Sequence, residues 1–153
     1  MKSVLISIKP VWCSKIVSGE KTLEIRKNKP KLETPFKCYI YCTKDKPDLI
    51  CNNPQLSTYE YLRTGTKVNG TVIGEFICDN IVDLRDVGGE EFYEKSRMTM
   101  DDWVHYTYHC RGIFWGWHIS DFVLYDKPKE LSEFYCRKQL TRPPQSWCYV
   151  EHN

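Results

Sequence analysis

The chain has 153 residues, 41% of them hydrophobic and 27% charged. That balance supports one folded core and is short for two domains of ordinary size. A formal net charge of +2 excludes the strongly basic surface expected of a protein that binds a long duplex. The charge is uneven, because residues 1–50 hold 11 Lys/Arg against 5 Asp/Glu, and a basic first third points to an anionic partner. Aromatic residues make up 14%, including 10 Tyr and 5 Trp. They suit either the filling of a small barrel or a surface that stacks bases, and composition leaves both open.

The opening residues are apolar only as far as Ile8, before Lys9 and Pro10 intervene. That run is too short for a secretory signal, and no stretch approaches the roughly 20 apolar residues of a membrane helix. The expected location is the cytoplasm, with reduced thiols and no membrane contact. The 8 cysteines contain no Cys-x-x-Cys pair. Cys38 and Cys42 share a strand face with Ile40, as small core residues do. No metal site and no cofactor are expected.

In chain order, alternation over 3–8 predicts a strand with Val4, Ile6 and Ile8 on its inner face. Pro10 opens a helix whose apolar positions are Trp12, Cys13, Ile16 and Val17, and Gly19 stops it. Residues 22–26 form a second strand, with Leu23 and Ile25 inward and Thr22, Glu24 and Arg26 on the other face. Lys27–Pro35 is a basic, proline-bounded loop, and 38–43 a third strand. Residues 44–70, rich in turn signals, form an insertion with one helical turn at 57–63. A longer strand covers 72–81. Gly88-Gly89 breaks the chain before a short acidic segment, within a second insertion over 86–111. Thr99 caps a helix with Asp102 in the capping-box position and Met100, Trp103, Val104 and Tyr108 on its apolar stripe, closed by Gly112. Residues 113–125 are an aromatic strand bent at Ser120-Asp121, and 146–151 a last strand. The pattern predicts a single α+β domain over 1–153, a small mixed β-barrel of about six strands with helices in the connections.

The densest chemical signal is Gly19-Glu20-Lys21-Thr22-Leu23-Glu24-Ile25-Arg26-Lys27. Arg26 and Lys21 suit a phosphate and Glu24 a base edge, while the same residues also suit a solvated strand face. Glu75 falls beside Ile73 and Ile77 on an apolar face, where a carboxylate needs a partner. His105 and His109 are four apart without the Glu of a metalloprotease helix. No glycine-rich phosphate loop is present.

Ser7-Ile8-Lys9-Pro10, Lys15-Ile16, Gly19-Glu20-Lys21, Glu24-x-Arg26-Lys27 and Pro30-Lys31 together resemble the opening signature of ASCH domains, members of the PUA-like superfamily. Val72-Ile73-Gly74-Glu75-Phe76 resembles the family's next strand. Trp117-His118-Ile119-Ser120 and Arg142-Pro143-Pro144-Gln145-Ser146-Trp147 resemble the ending of some bacterial and phage members. The resemblance implies a PUA-like barrel with a cleft beside the first helix and a role with RNA. Related branches of the superfamily hold modified bases in aromatic cages. Some small bacterial members remove the acetyl group of N4-acetylcytidine with a Lys, a Thr three residues later and a Glu on a later strand; others are assigned ribonuclease activity. Lys21 and Glu75 match the amidohydrolase pattern, and Glu24 replaces its Thr.

The resulting expectation is a module that binds RNA or a modified nucleoside or nucleotide. Ser7, Lys9, Trp12, Arg26, Lys27, Trp117 and Trp147 are its binding residues, with stacking assigned to the tryptophans. The alternative is a hydrolase acting on an N4-acylcytidine or on single-stranded RNA through Lys21, Glu24 and Glu75. A third reading is a domain that meets a protein partner through its aromatic surface. Oligomeric state is not encoded in any pattern found.

Overall fold

In a computed structural model, the described residues are 2–51, 65–106 and 113–151. Ten strands are described: β1 (Ser3–Ile8), β2 (Leu23–Arg26), β3 (Phe36–Cys42), β4 (Ile50–Cys51), β5 (Thr66–Lys67), β6 (Val72–Asp83), β7 (Trp115–Lys129), β8 (Tyr135–Cys136), β9 (Lys138–Gln139) and β10 (Trp147–Val150). The helices are α1 (Pro10–Val17), α2 (Gly89–Ser96) and α3 (Met100–Val104). Six strands form one sheet in the order β10-β1-β3-β6-β7-β2, and β4-β5 and β8-β9 form two small ribbons. β1 pairs parallel with β3 and antiparallel with β10, so the sheet is mixed. This is the α+β architecture expected. No helix among the described residues is long and apolar enough to cross a membrane.

By contact density the chain divides into two compact units. The first is Met1–Ser14, Cys38–Glu75 and Val123–Asn153; the second is Lys15–Lys37 and Phe76–Phe122. In the first, β1 is buried along its whole length, where alternation predicted one inner face. Its place between β10 and β3 pairs both of its edges, and side chains on both of its faces are shielded from solvent. Ser7 tolerates this because its Oγ donates to Pro144 O at 2.7 Å and its N–H donates to Ser146 O at 2.9 Å. The core here is Leu5, Tyr39, Tyr41, Val72, Phe134 and Val150. Cys38, Ile40 and Cys42 are fully buried together, as their spacing predicted.

The second unit packs Leu84, Val87, Phe92 and Phe114 against Ile25, Val82, Met98, Trp103 and Tyr106. Its β2 pairs antiparallel with β7, placing Leu23 opposite His118, Glu24 opposite Trp117 and Arg26 opposite Trp115. Gly116 sits opposite Ile25 in this register. A Cβ at Gly116 would stand 2.8 Å from Leu23 Cδ1, and Leu23 is 2% exposed. Gly116→Ala is therefore expected to cost about 1–3 kcal/mol through overpacking, read from urea unfolding. A stability equal to wild type would show that Leu23 has room to turn aside.

Two elements differ from the sequence reading. The acidic segment after Gly88 is helix α2, buried through Phe92 and Ser96 and ended by Arg97 in the left-handed region at φ 60°. Polar residues cover the rest of this short helix, so apolar periodicity has little to register. The aromatic strand also runs on to Lys129, with the predicted bend marked by Asp121 at φ 48°. Helix α3 carries the predicted capping box between Thr99 and Asp102. Its Met100, placed on the apolar stripe by spacing, is instead 50% exposed. The helical turn at 57–63, Tyr108, His109 and Gly112 lie outside the described residues.

Candidate functional site

The end of α1 and the start of β2 form one continuous device. Lys9 O accepts the N–H groups of Trp12 and Cys13, each at 3.0 Å, so the helix begins directly after Lys9. At the other end, Gly19 takes φ +82°, which a side chain would resist. The Lys21 N–H then donates to Lys15 O at 3.0 Å. This turn delivers Lys21 to the second position before β2 with its side chain only 2% exposed.

Helix α2 completes the surroundings of that lysine. Lys21 Nζ donates to Ser96 O at 2.7 Å. Thr22 N–H donates to Lys95 O at 2.7 Å, and Arg97 Nε donates to Glu20 O at 3.0 Å. The carbonyl groups at the C-terminus of α2 carry the negative end of its dipole, so the ammonium meets partial negative charge as well as a hydrogen-bond acceptor. None of this is visible while 89–96 is read only as a short acidic segment.

Glu24 supplies the full counter-charge. Its Oε2 lies 3.4 Å from Lys21 Nζ, and its Oε1 lies 3.0 Å from Arg26 Nη2 and 3.1 Å from Arg26 Nε. One carboxylate thus serves two cations. Burial pushes the Lys21 ammonium below its usual pKa, and the charge and hydrogen bonding of Glu24 oppose that shift. Of the three side chains, Arg26 is the most exposed at 14%. The surface ion pair foreseen as one option for this face is in fact a buried triad.

Register adds an aromatic neighbour that sequence reasoning missed. Trp115 pairs with Arg26 across β2 and β7 and is half-buried, and Lys29 Nζ stands 4.2 Å from its ring centroid. Only strand pairing reveals it, because Trp115 and Arg26 are far apart in sequence. Trp117 corrects an expectation: it is 0% exposed and meets Phe36 edge-on at 6.0 Å. It is core filler and offers no open face to a base.

The remaining candidates stand in the first unit, except Lys27. Glu75 is half-buried, and its Oε2 accepts the Tyr125 hydroxyl at 2.6 Å, which supplies the partner that its apolar neighbours demanded. Burial and Glu75 together push the Tyr125 phenol upward. Tyr125→Phe is expected to cost about 1–2 kcal/mol, since it strips a hydrogen bond from a half-buried carboxylate. Chemical denaturation at pH 7 checks it, and an unchanged midpoint would count against that account. Ser7 is buried and committed to Pro144, Trp12 and Trp147 are half-buried, and Lys9 and Lys27 are exposed. A further pair not foreseen is His118 and Asp79, with Nδ1 and Oδ1 2.6 Å apart. That contact holds the Asp79 carboxyl below its usual range. The described residues contain no group of three or more His, Cys, Asp or Glu suited to hold a metal.

The ASCH domain family model matches residues 6–144. The chain belongs to the ASCH domain family. That family has the PUA-like fold and is associated with RNA binding. Among solved structures, ASCH from Zymomonas mobilis is similar at 20% identity and a TM-score of 0.66, over 97% of this chain and 87% of that one. A point mutant of the same Zymomonas protein gives 19% identity and a TM-score of 0.65, over 99% and 91% of the two chains. At such identity the likeness establishes the fold alone. None of the curated proteins matches the chain. The opening signature singled out in the sequence therefore marks a true ASCH domain, and the α+β PUA-like class stands.

Proposed function

We propose that this ASCH domain is an RNA-binding module whose contact surface centres on Arg26 and the basic loop that follows it. The observation that carries this reading is the buried triad. Lys21 and Glu24 are too shielded to be a general-purpose surface, yet they hold Arg26 at the edge of solvent in a single orientation. A guanidinium fixed in this way suits a phosphate or a base carbonyl, because little side-chain freedom is left to lose on binding. Lys27, Lys29 and Lys31 are exposed directly downstream, and Trp115 supplies a ring beside Lys29 for stacking. A positively charged track beside an aromatic ring is the arrangement that single strands use. Glu24 acts here as the positioning residue for Arg26 and not as a reader of bases.

The hydrolase reading has one observation in its favour, the lowered pKa of Lys21, since a neutral amine can act as a base or nucleophile. Burial works against it, because a substrate must displace Ser96 O or Glu24 to reach that nitrogen. The experiment that separates the two titrates a fluorescent single-stranded RNA in 50 mM salt and, in parallel, follows N4-acetylcytidine and RNA for turnover. Binding without turnover is the expected result. Turnover that disappears in Lys21→Ala, with the fold intact by circular dichroism, would replace the binding module with an enzyme.

A further inference from the structure

We infer that the cavity beside the β8–β9 ribbon is a second ligand site, one that takes a nucleobase together with its attached phosphate. It has a volume of about 430 Å³, within the roughly 300–1,000 Å³ of small-molecule sites. All its lining residues belong to the first unit, so the site goes beyond the Arg26 surface and stands without it.

The chemistry of the walls selects the ligand. Tyr135 and Tyr149 contribute aromatic rings, Lys2 and Arg137 two cations, and Glu151 one carboxylate. Lys2 Nζ lies 5.7 Å from the Tyr149 ring centroid, which places positive charge next to a stacking surface. A nucleotide presents the complement, an anion tethered to a flat ring. Glu151 argues against a purely anionic ligand such as phosphate or an acidic peptide, because like charges repel at short range. It instead suits the exocyclic amine of a base or a ribose hydroxyl, both of which donate hydrogen bonds.

The backbone holds these groups in place. Glu151 N–H donates to Tyr135 O at 2.9 Å, and Leu140 N–H donates to Phe134 O at 2.9 Å. Gln139 Nε2 donates to Ser132 O at 2.7 Å, securing the root of the ribbon. At its tip, between paired Cys136 and Lys138, Arg137 takes φ 62°, a conformation natural to glycine and costly for other residues. An arginine standing where glycine would be free of strain fits a side chain used for its charge. Cys136 lines the same cavity and is half-buried, which gives the site a chemical reporter.

The test uses the whole chain and measures the rate at which iodoacetamide alkylates Cys136, mapped by peptide mass spectrometry. The probes are AMP, GMP, CMP, UMP, adenosine, inorganic phosphate, and a tetranucleotide RNA with or without a 5′-phosphate. At least one monophosphate should slow alkylation fivefold or more, with adenosine and phosphate alone clearly weaker. Arg137→Gly should lower affinity for that monophosphate at least tenfold while leaving the melting temperature equal or higher. Arg137→Ala repeats the binding test without the glycine. Protection by the free monophosphate alone identifies a nucleotide site, and stronger protection by the 5′-phosphorylated RNA identifies an RNA end. The triple substitution of Lys27, Lys29 and Lys31 by Ala should leave protection intact, so failure of the Arg26 surface and failure of this site are read separately. No protection by any monophosphate, or full binding by both Arg137 variants, overturns the site.

Discussion

Glu24→Ala is expected to destabilise the chain by about 3–5 kcal/mol, the range for removing one partner of a buried ion pair. The carboxylate is the shared counter-charge of Lys21 and Arg26. Arg26 can reach water when Glu24 is lost, whereas Lys21, 2% exposed, cannot. Lys21 would keep Ser96 O and the dipole of α2 but lose the carboxylate that offsets its desolvation. Lys21→Met should cost less, because Arg26 still neutralises Glu24. Adding Lys21→Met to Glu24→Ala should recover part of the loss, since no uncompensated charge then stays buried. Urea unfolding of the two single variants and the double variant measures this as a coupling energy. A Glu24→Ala cost under about 1 kcal/mol would mean that the lysine finds water without unfolding.

The same burial fixes the sign of a pH dependence. Lys21 in the folded chain has its pKa lowered from 10.5, with burial as the leading cause. Between that lowered value and 10.5 the unfolded chain holds more protons than the folded chain, so stability rises with pH. Below the folded pKa both states are protonated and the contribution is flat; above 10.5 neither holds the proton and it is flat again. The difference in unfolding free energy between wild type and Lys21→Met should thus climb across this window. A flat or falling difference would contradict a desolvated lysine.

The second large effect is on RNA binding. Three exposed lysines that each neutralise one phosphate of a single strand give a slope of about −2 in log K against log salt, at about −0.7 per contact. Raising salt from 50 to 200 mM should then weaken binding about twentyfold on the same reckoning. Replacing Lys27, Lys29 and Lys31 with Ala should remove most of that slope and bring the residual affinity close to its high-salt value. Arg26→Ala should weaken binding with a smaller change in slope, because its charge is already shared with Glu24. Anisotropy titrations at four salt concentrations separate these outcomes. A slope near zero in the wild type would remove phosphate contacts from the reading.

Much of this protein was legible from its residues in order. Pro10 and Gly19 mark the ends of α1 because one has its φ preset and the other alone accepts φ +82° without strain. Thr99 and Asp102 cap α3 through bonds that span only three residues. The opening signature likewise identified the family. Such features are local, and local sequence determines them. Trp117 shows where that legibility stops. Its type announced a large ring, but only the packing around it decided between core and surface, and it fell to the core.

The uneven charge of the first third, the earliest signal in the chain, was split by the tertiary structure into two kinds. Lys27, Lys29 and Lys31 remain exposed, while Lys21 is drawn inside. What draws it in is the carbonyl end of α2, 75 residues away in sequence, together with a carboxylate three residues on. Sequence alone determined that Lys21, Glu24 and Arg26 lie close together in the chain. Only the folded chain decided that they form a buried triad, because burial depends on neighbours brought by distant segments.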